Sequence, residues 1–442
     1  MTQRNESVDV VVVGGGLAGL LVAEGLGRAG RRVVVLERSP APGGRARTAT
    51  HGAHRFNFGP HALYLEGPLH HALRAAGVST AGVAPSLGGA RALFADGHLD
   101  ALPVGLGGVL RADWFGARDA REMLAALRRI RAGAGTSDLH ETSAAAFIDA
   151  LVTRDGARRM LATLVRLATY GGDPSELSAD VAHAQLTASV RHGVRYVHGG
   201  WQSLVVGLLD RAARAGVTVR HARAASLGLE ASGALQGRMH TVTDDHGRTL
   251  RAADVVLACA PNVAASLLDG ADPVLAEFAR GARPVTMRGV DLGLRDPGRD
   301  LRFTLGVDTP VYFSPQRGVR DVAPAGGLTV HTGVYLGAEG GDAVADPAGL
   351  LDAALERLVP DLAARTVERR VLARAVVHHA LPDWRRAGML GRPACASQVP
   401  GVWFAGDWVG PQGHLADAAA ASAVSVVRGI AVAREGGLRC AS

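Results

Sequence analysis

The run Val10–Glu37, VVVVGGGLAGLLVAEGLGRAGRRVVVLE, constrains the fold of this chain more than any other stretch. Val10–Val13 is a β-branched run with no polar interruption, which reads as a short strand buried on both faces. Gly14, Gly16 and Gly19 follow at the spacing G-x-G-x-x-G. The first glycine allows a tight turn, the second lets backbone N–H groups approach a pyrophosphate, and the third lets the next helix pack close to the strand. A helix over Leu17–Arg28 then aims the N–H groups of its first turn, at Leu17 and Ala18, towards those phosphates. Gly30 ends the helix, Val33–Leu36 forms a second parallel strand, and Glu37 stands where an acid accepts hydrogen bonds from a ribose 2′-OH. A glycine-rich turn of another α/β protein would leave Glu37 unexplained. The unit predicts a site for an ADP-containing dinucleotide.

With 442 residues the chain has room for two or three compact domains. Its 48% hydrophobic content and 58 glycines suit an α/β protein with many tight turns. No stretch reaches the ~18 consecutive apolar residues of a membrane helix. Met1–Asp9 is polar and lacks a signal-peptide core, which makes the cytoplasm the expected compartment. Cys259, Cys395 and Cys440 are odd in number and unclustered, against a disulfide framework or a metal site. The net charge is +7, and all 48 basic residues are arginine. Scattered arginine without interleaved aromatics gives no nucleic-acid groove. The missing lysine excludes any mechanism that needs one.

Behind the first unit, Arg38–Thr50 reads RSPAPGGRARTAT. Gly43 and Gly44 expose backbone N–H groups, and Arg45 and Arg47 can bridge a phosphate, so this is either a second anion loop or a solvated basic turn. Together GGGLAGL, Glu37 and GGRART resemble the opening of the flavoprotein superfamily that holds amine oxidases, protoporphyrinogen oxidases and phytoene desaturases. The resemblance implies a glutathione-reductase-like, Rossmann-type FAD-binding domain with an inserted helical and mixed-sheet substrate domain. It assigns FAD contacts to Gly14, Gly16, Leu17, Ala18 and Gly19, to Glu37 and Arg38, and to Gly43, Gly44 and Arg45. His51–Tyr64, HGAHRFNFGPHALY, is similar to the family's next landmark, which leads Gly59 and Pro60 towards the flavin ring. There His61 either moves a proton or hydrogen-bonds loop backbone.

The expected FAD domain is discontinuous, comprising residues 1–64, 196–262 and 376–442. A mainly helical insertion occupies 65–195, with helices over Asp119–Ala132, Thr142–Leu151, Arg158–Thr169 and Ser178–Val190, and a hairpin over Ala92–Leu102. In the family this insertion builds a substrate-facing or membrane-facing lobe, which leaves room for peripheral membrane contact. His198-Gly199-Gly200-Trp201 opens a helix over Gln202–Ala215. By resemblance the segment after the following strand, with Ala225, covers the adenine. A hairpin is expected over Leu227–Arg251 and a buried parallel strand over Ala253–Pro261. A mixed-sheet substrate domain spans 263–375, with strands from Arg283 to Leu336, a helix over Ala348–Leu358 and a strand over Val371–Ala375. It is most similar to the phytoene-desaturase branch.

No second G-x-G-x-x-G with its strand and acid occurs, so FAD rather than a nicotinamide fills the single site. In Val402–Asp407, VWFAGD, a strand ends in Gly406-Asp407 before a helix over Leu415–Val432. The resemblance gives Asp407 the ribityl chain or pyrophosphate, and sets the helix start at Leu415 against the flavin edge where negative charge accumulates. Typical amine oxidases of this superfamily carry a lysine that holds a water near the reacting flavin nitrogen, which this chain lacks. Several also place an aromatic wall just before the last helix, where this chain has His414, a second candidate catalytic histidine. No C-terminal cysteine motif for covalent FAD surrounds Cys395 or Cys440. The resemblance thus implies a desaturase- or dehydrogenase-type oxidation of an apolar or polycyclic metabolite, in the manner of a secondary-metabolism tailoring enzyme, with O2 or a quinone reoxidising FAD. A non-redox isomerase and an amine- or protoporphyrinogen-type oxidase are the alternatives.

Overall fold

A computed structural model of the protein describes residues 6–133, 138–230, 239–296, 300–338 and 344–439, with side chains as far as 433. Cys440 and part of the expected 227–251 hairpin lie outside the described residues.

The valine run does form a doubly buried strand. β1 (Glu6–Val13) is followed by α1 (Leu17–Arg28) and β2 (Val33–Glu37). β1 lies between β2 and the strand Thr249–Leu257 and is parallel to both. Beyond β2 the strand Thr218–His221 continues the parallel order. On the other side Thr249–Leu257 pairs in parallel with Val402–Phe404 from the far end of the chain. It also pairs antiparallel with His240–Asp244, which is joined to Ala224–Gly228. One face of this seven-stranded sheet carries α1, the helix Gln202–Arg214 and the last helix, Leu415–Arg439, around Val10, Val12, Leu20, Leu204, Val426 and Ile430. The other face buries Val11, Leu36, Val255, Phe404 and Trp408.

The last helix is long and apolar enough over Leu415–Ala433 to cross a membrane, yet half of that window is buried inside the protein. Ala419, Ala420, Ala423, Val426 and Ile430 pack in one core with α1, so much of its apolar composition records core packing.

A second seven-stranded sheet has the order Thr366–His378, Val285–Leu294, Leu328–Ala338, Val311–Pro315, Thr304–Gly306, Arg91–Leu93 and Leu99–Ala101. The last two strands are the expected Ala92–Leu102 hairpin. Thr304–Gly306 pairs with Arg91–Leu93, so the 65–195 insertion feeds the mixed sheet rather than standing apart as a helical unit. Four helices, Ala117–Ala132, Ala144–Leu151, Asp155–Thr169 and Ala179–His192, share one core with Phe303, Tyr312 and Tyr335 of that sheet. The helix Pro347–Leu358 covers the opposite face. Thr366–His378 is much longer than the expected Val371–Ala375. It contains three arginines, and Val367, Val371 and Val376 are exposed, but it pairs along nearly all of Val285–Leu294, and that pairing rather than its own hydrophobicity sets its length.

At Gly19 a Cβ would stand 1.9 Å from the Gly14 carbonyl oxygen. Gly19→Ala should therefore force β1 and α1 apart at a cost of about 1–3 kcal/mol, read from chemical denaturation. An unshifted midpoint would show that this close approach is not required.

Candidate FAD site

The phosphate cradle follows from backbone conformation. Gly14 has φ +111°, which a residue with a side chain rarely adopts, and its N–H donates to the Leu36 carbonyl at 2.8 Å. α1 starts at Gly16 with no side-chain cap and no acid in its first turn, and a Cβ on Gly16 would meet nothing within 4 Å. Uncapped N–H groups facing open space make an anion site. The second glycine loop locks onto the first, with the Gly43 N–H donating to the Gly15 carbonyl at 2.7 Å and Gly43 bridging Gly16. Glu37 is buried at the end of β2. Its Oε2 accepts from the Gly15 N–H and its Oε1 from the Ser39 N–H, both at 2.7 Å. Each oxygen keeps acceptor capacity for a ribose hydroxyl.

Arg45 leaves this loop to meet the far end of the chain. Its Nη1 donates to Asp407 Oδ2 at 2.7 Å and to the Val377 carbonyl at 2.8 Å. His379 completes the junction, with its backbone N–H donating to Asp407 Oδ2 at 3.1 Å and its Nδ1 lying 2.8 Å from Oδ1. Asp407 is buried, and Arg45 followed by the two histidines holds its carboxyl well below the usual range against the pull of desolvation. The aspartate thus spends its oxygens on Arg45 and His379, and it would serve an anionic cofactor by aiming the guanidinium.

The two candidate catalytic histidines are placed differently. His61 is half-buried. Its Nδ1 donates to the Gly59 carbonyl at 2.7 Å and its ring lies 4.6 Å from Trp201, while the Tyr170 hydroxyl donates to the Pro60 carbonyl at 2.9 Å. Burial pushes the His61 ring down to about 4, so it is neutral near pH 7 with Nε2 as acceptor. His414 is buried and has both nitrogens committed. Nε2 donates to the Thr169 carbonyl at 3.1 Å, and Nδ1 accepts from Arg392 at 3.4 Å. Its ring stacks on His378 at 4.8 Å, and burial takes it down to about 3. With no nitrogen left for chemistry, His414 holds the start of the last helix, where Leu415 takes the left-handed φ of +52°.

Arg38 is exposed, and its carbonyl accepts from the His221 ring at 3.1 Å. Ala225 is exposed on the outer strand Ala224–Gly228, three residues beyond Ala222, whose N–H donates to the Glu37 carbonyl at 2.9 Å. Gly406 and Asp407 follow the strand Val402–Phe404 directly. Sequence reasoning missed His378, His379 and Arg392, because neither the histidine doublet nor an isolated arginine has a spacing that signals a site. It also missed the orphan donor Trp201 Nε1, which is buried beside His61 without a partner. The cleft of about 440 Å³ on the Arg91–Ala101 hairpin is lined by none of the cofactor loops. Among the described residues no cluster of His, Cys, Asp or Glu has the makings of a metal site.

A parallel sheet with a glycine turn running into an uncapped helix, joined to a second sheet with its own helical lobe, fits the class of FAD-dependent oxidoreductases. The open space at Gly16, the uncapped helix and the unpartnered Trp201 donor all fit that cofactor. The model of the family "flavin containing amine oxidoreductase" matches residues 17–431, and the chain belongs to that family. Phytoene dehydrogenase from Streptomyces griseus is 45% identical over 94 residues, which is 20% of this chain and 18% of that protein, so the match spans less than a fifth of the relative's length. An oxidoreductase from Methanosarcina mazei superposes with a TM-score of 0.77 at 17% identity, covering 95% of this chain and all of that one. A triple mutant of putrescine oxidase with redesigned cofactor binding superposes with a TM-score of 0.73 at 18% identity, over 97% of this chain and all of that one. These two likenesses show the fold.

Gly16→Ala should leave the fold intact, because its backbone is extended and the space is free, while reducing FAD retention. Glu37→Ala should weaken FAD binding by about 1.5–3 kcal/mol. Flavin content after gel filtration checks both, and full occupancy would place the cofactor elsewhere.

Stability should fall as pH drops from 6.5 towards 4. His61 and His414, held down to about 4 and about 3, stay mostly neutral in the folded protein and protonate when it unfolds, each at up to about 1.4 kcal/mol per pH unit, and burial shifts His378 the same way. Asp417, raised to about 6 by burial, opposes them over part of the range but is a single group. Urea midpoints at pH 7 and 5 test the sign.

Proposed function

We propose that the protein oxidises a C–C or C–N bond of an apolar or polycyclic metabolite by loss of hydride from a C–H carbon and of a proton from the neighbouring carbon or nitrogen, with O2 or a quinone as final acceptor. FAD, when bound, supplies the two-electron sink. The observation that carries this reading is the open cradle at Gly16, backed by Glu37 on one side and by the Arg45–Asp407 pair on the other. Gly14, Gly16, Gly43 and the first turn of α1 would hold the pyrophosphate, Glu37 the ribose, and Arg45 a phosphate oxygen.

The inserted domain would take the substrate. Its sheet and helical lobe share one apolar core, and Tyr170 at its margin donates to the Pro60 carbonyl. Neutral His61 accepts a hydrogen bond at Nε2, and its Nδ1–H fixes the ring on Gly59. The phytoene dehydrogenase match supports C–C desaturation, as does the complete absence of lysine, which removes the residue typical amine oxidases use near the flavin.

Flavin-loaded protein mixed anaerobically with substrate should bleach, and O2 or a quinone should restore its colour with stoichiometric H2O2 or quinol. Conversion of substrate without net oxidation would point to an isomerase. Protein that takes up no FAD would overturn the proposal.

A further inference from the structure

The chain has five tyrosines, and the fold gathers all of them. The Tyr335 ring lies 5.7 Å from Tyr170 and 6.4 Å from Tyr312, the Tyr312 and Tyr196 hydroxyls are 3.3 Å apart, and Tyr64 is within electrostatic reach of Tyr170 and Tyr335. Four hydroxyls have partners. Tyr64 donates to the Ala168 carbonyl, Tyr170 to the Pro60 carbonyl, and Tyr196 shares bonds with Tyr312 and with Ser314 Oγ. Tyr335 is 2% exposed and its hydroxyl has none. Buried hydroxyls without partners are costly, and one kept in a core needs an explanation.

Arg166, on the helix Asp155–Thr169, reaches across to Val307, which shares one apolar core with Tyr335. Its Nη2 donates to the carbonyls of Gly306 and Val307 at 2.7 and 3.1 Å. Among the described residues it forms no ion pair. The nearby acid, Asp308, is exposed and accepts from the Ala95 N–H at 2.7 Å. A guanidinium with only carbonyl partners beside an orphan hydroxyl gives two donors, one of them cationic, with no anion to satisfy them.

Tyr335 is linked through its neighbours to the segment assigned to the flavin. Tyr335 is directly opposite Met287 in the sheet, and Met287 Sδ is 4.0 Å from where a Cβ on Gly59 would stand. The ring that touches Tyr335, Tyr170, is bonded to Pro60. We propose that Tyr335 and Arg166 bind a carboxylate of the substrate, so that the metabolite oxidised is an apolar or polycyclic acid rather than a hydrocarbon. The surrounding rings would pack its apolar body. This rests on the reading above that the inserted domain takes the substrate.

Benzoate and its neutral isostere benzamide test the carboxylate in calorimetric titrations of FAD-loaded protein. Benzoate should bind about tenfold more tightly, and Tyr335→Phe and Arg166→Gln should each erase most of that preference while leaving benzamide affinity unchanged. Tyr335→Phe removes only an unpartnered oxygen, so its Tm should be unchanged or raised, and it decides the matter alone if the arginine variant fails to fold. Equal affinity for the two probes, or a preference that survives in Tyr335→Phe, overturns the carboxylate site. Flavin content is read separately: protein that holds FAD without preferring benzoate sinks only this inference, and protein that prefers benzoate without taking up FAD sinks only the redox reading.

Discussion

The interaction on which the rest of the structure depends is the pairing of Arg45 with Asp407 across 362 residues of sequence. A buried carboxylate is stable only when charges and donors surround it, and here they come from the second glycine loop and from the end of the strand Thr366–His378. Three distant pieces of chain are thereby fixed at one point. The same point joins the two sheets, since Thr366–His378 runs from the edge of the second sheet into the first domain. Loss of Arg45 would leave the buried Asp407 carboxylate with only His379 and backbone donors around it.

Around that junction charge is handled in a consistent way. Asp291 is buried between His331 at 2.6 Å and Arg370 at 2.9 Å, and Arg370 in turn donates to the Phe56 and Asn57 carbonyls and lies over the rings of Phe56 and Phe58. His378 and His414, by contrast, are kept neutral by desolvation and bond to carbonyls. Arginine supplies the fixed positive charge, and histidine supplies shape and hydrogen bonds.

The first unit was legible in the sequence because its determinants are local. Glycine spacing, β-branched valines and a terminal acid each act within a few residues, and α1 spans Leu17–Arg28 as its pattern predicts. Helices in the insertion were equally legible from their 3.6-residue periodicity. What escaped was set by distant pairing. The length of Thr366–His378 depends on its neighbour's register, and the role of His379 on a carboxylate 28 residues away. Five tyrosines strung between Tyr64 and Tyr335 carry no signal until two sheets and a helical lobe bring their rings together. His414 shows the reverse case: its position before the last helix marked it as important, but only the fold reveals that both its nitrogens are spent on structure.

The strand Val402–Phe404 and the helix after it complete the first core against β1 and α1, the earliest elements of the chain. During synthesis on the ribosome the glycine cradle emerges near the beginning, but Asp407 and the packing face that ends at Ile430 emerge near the end. Cofactor loading is therefore a late event in the life of each molecule. Until then the apolar faces of β1 and α1 stay uncovered, and flavin can stabilise only the chain that has closed over them.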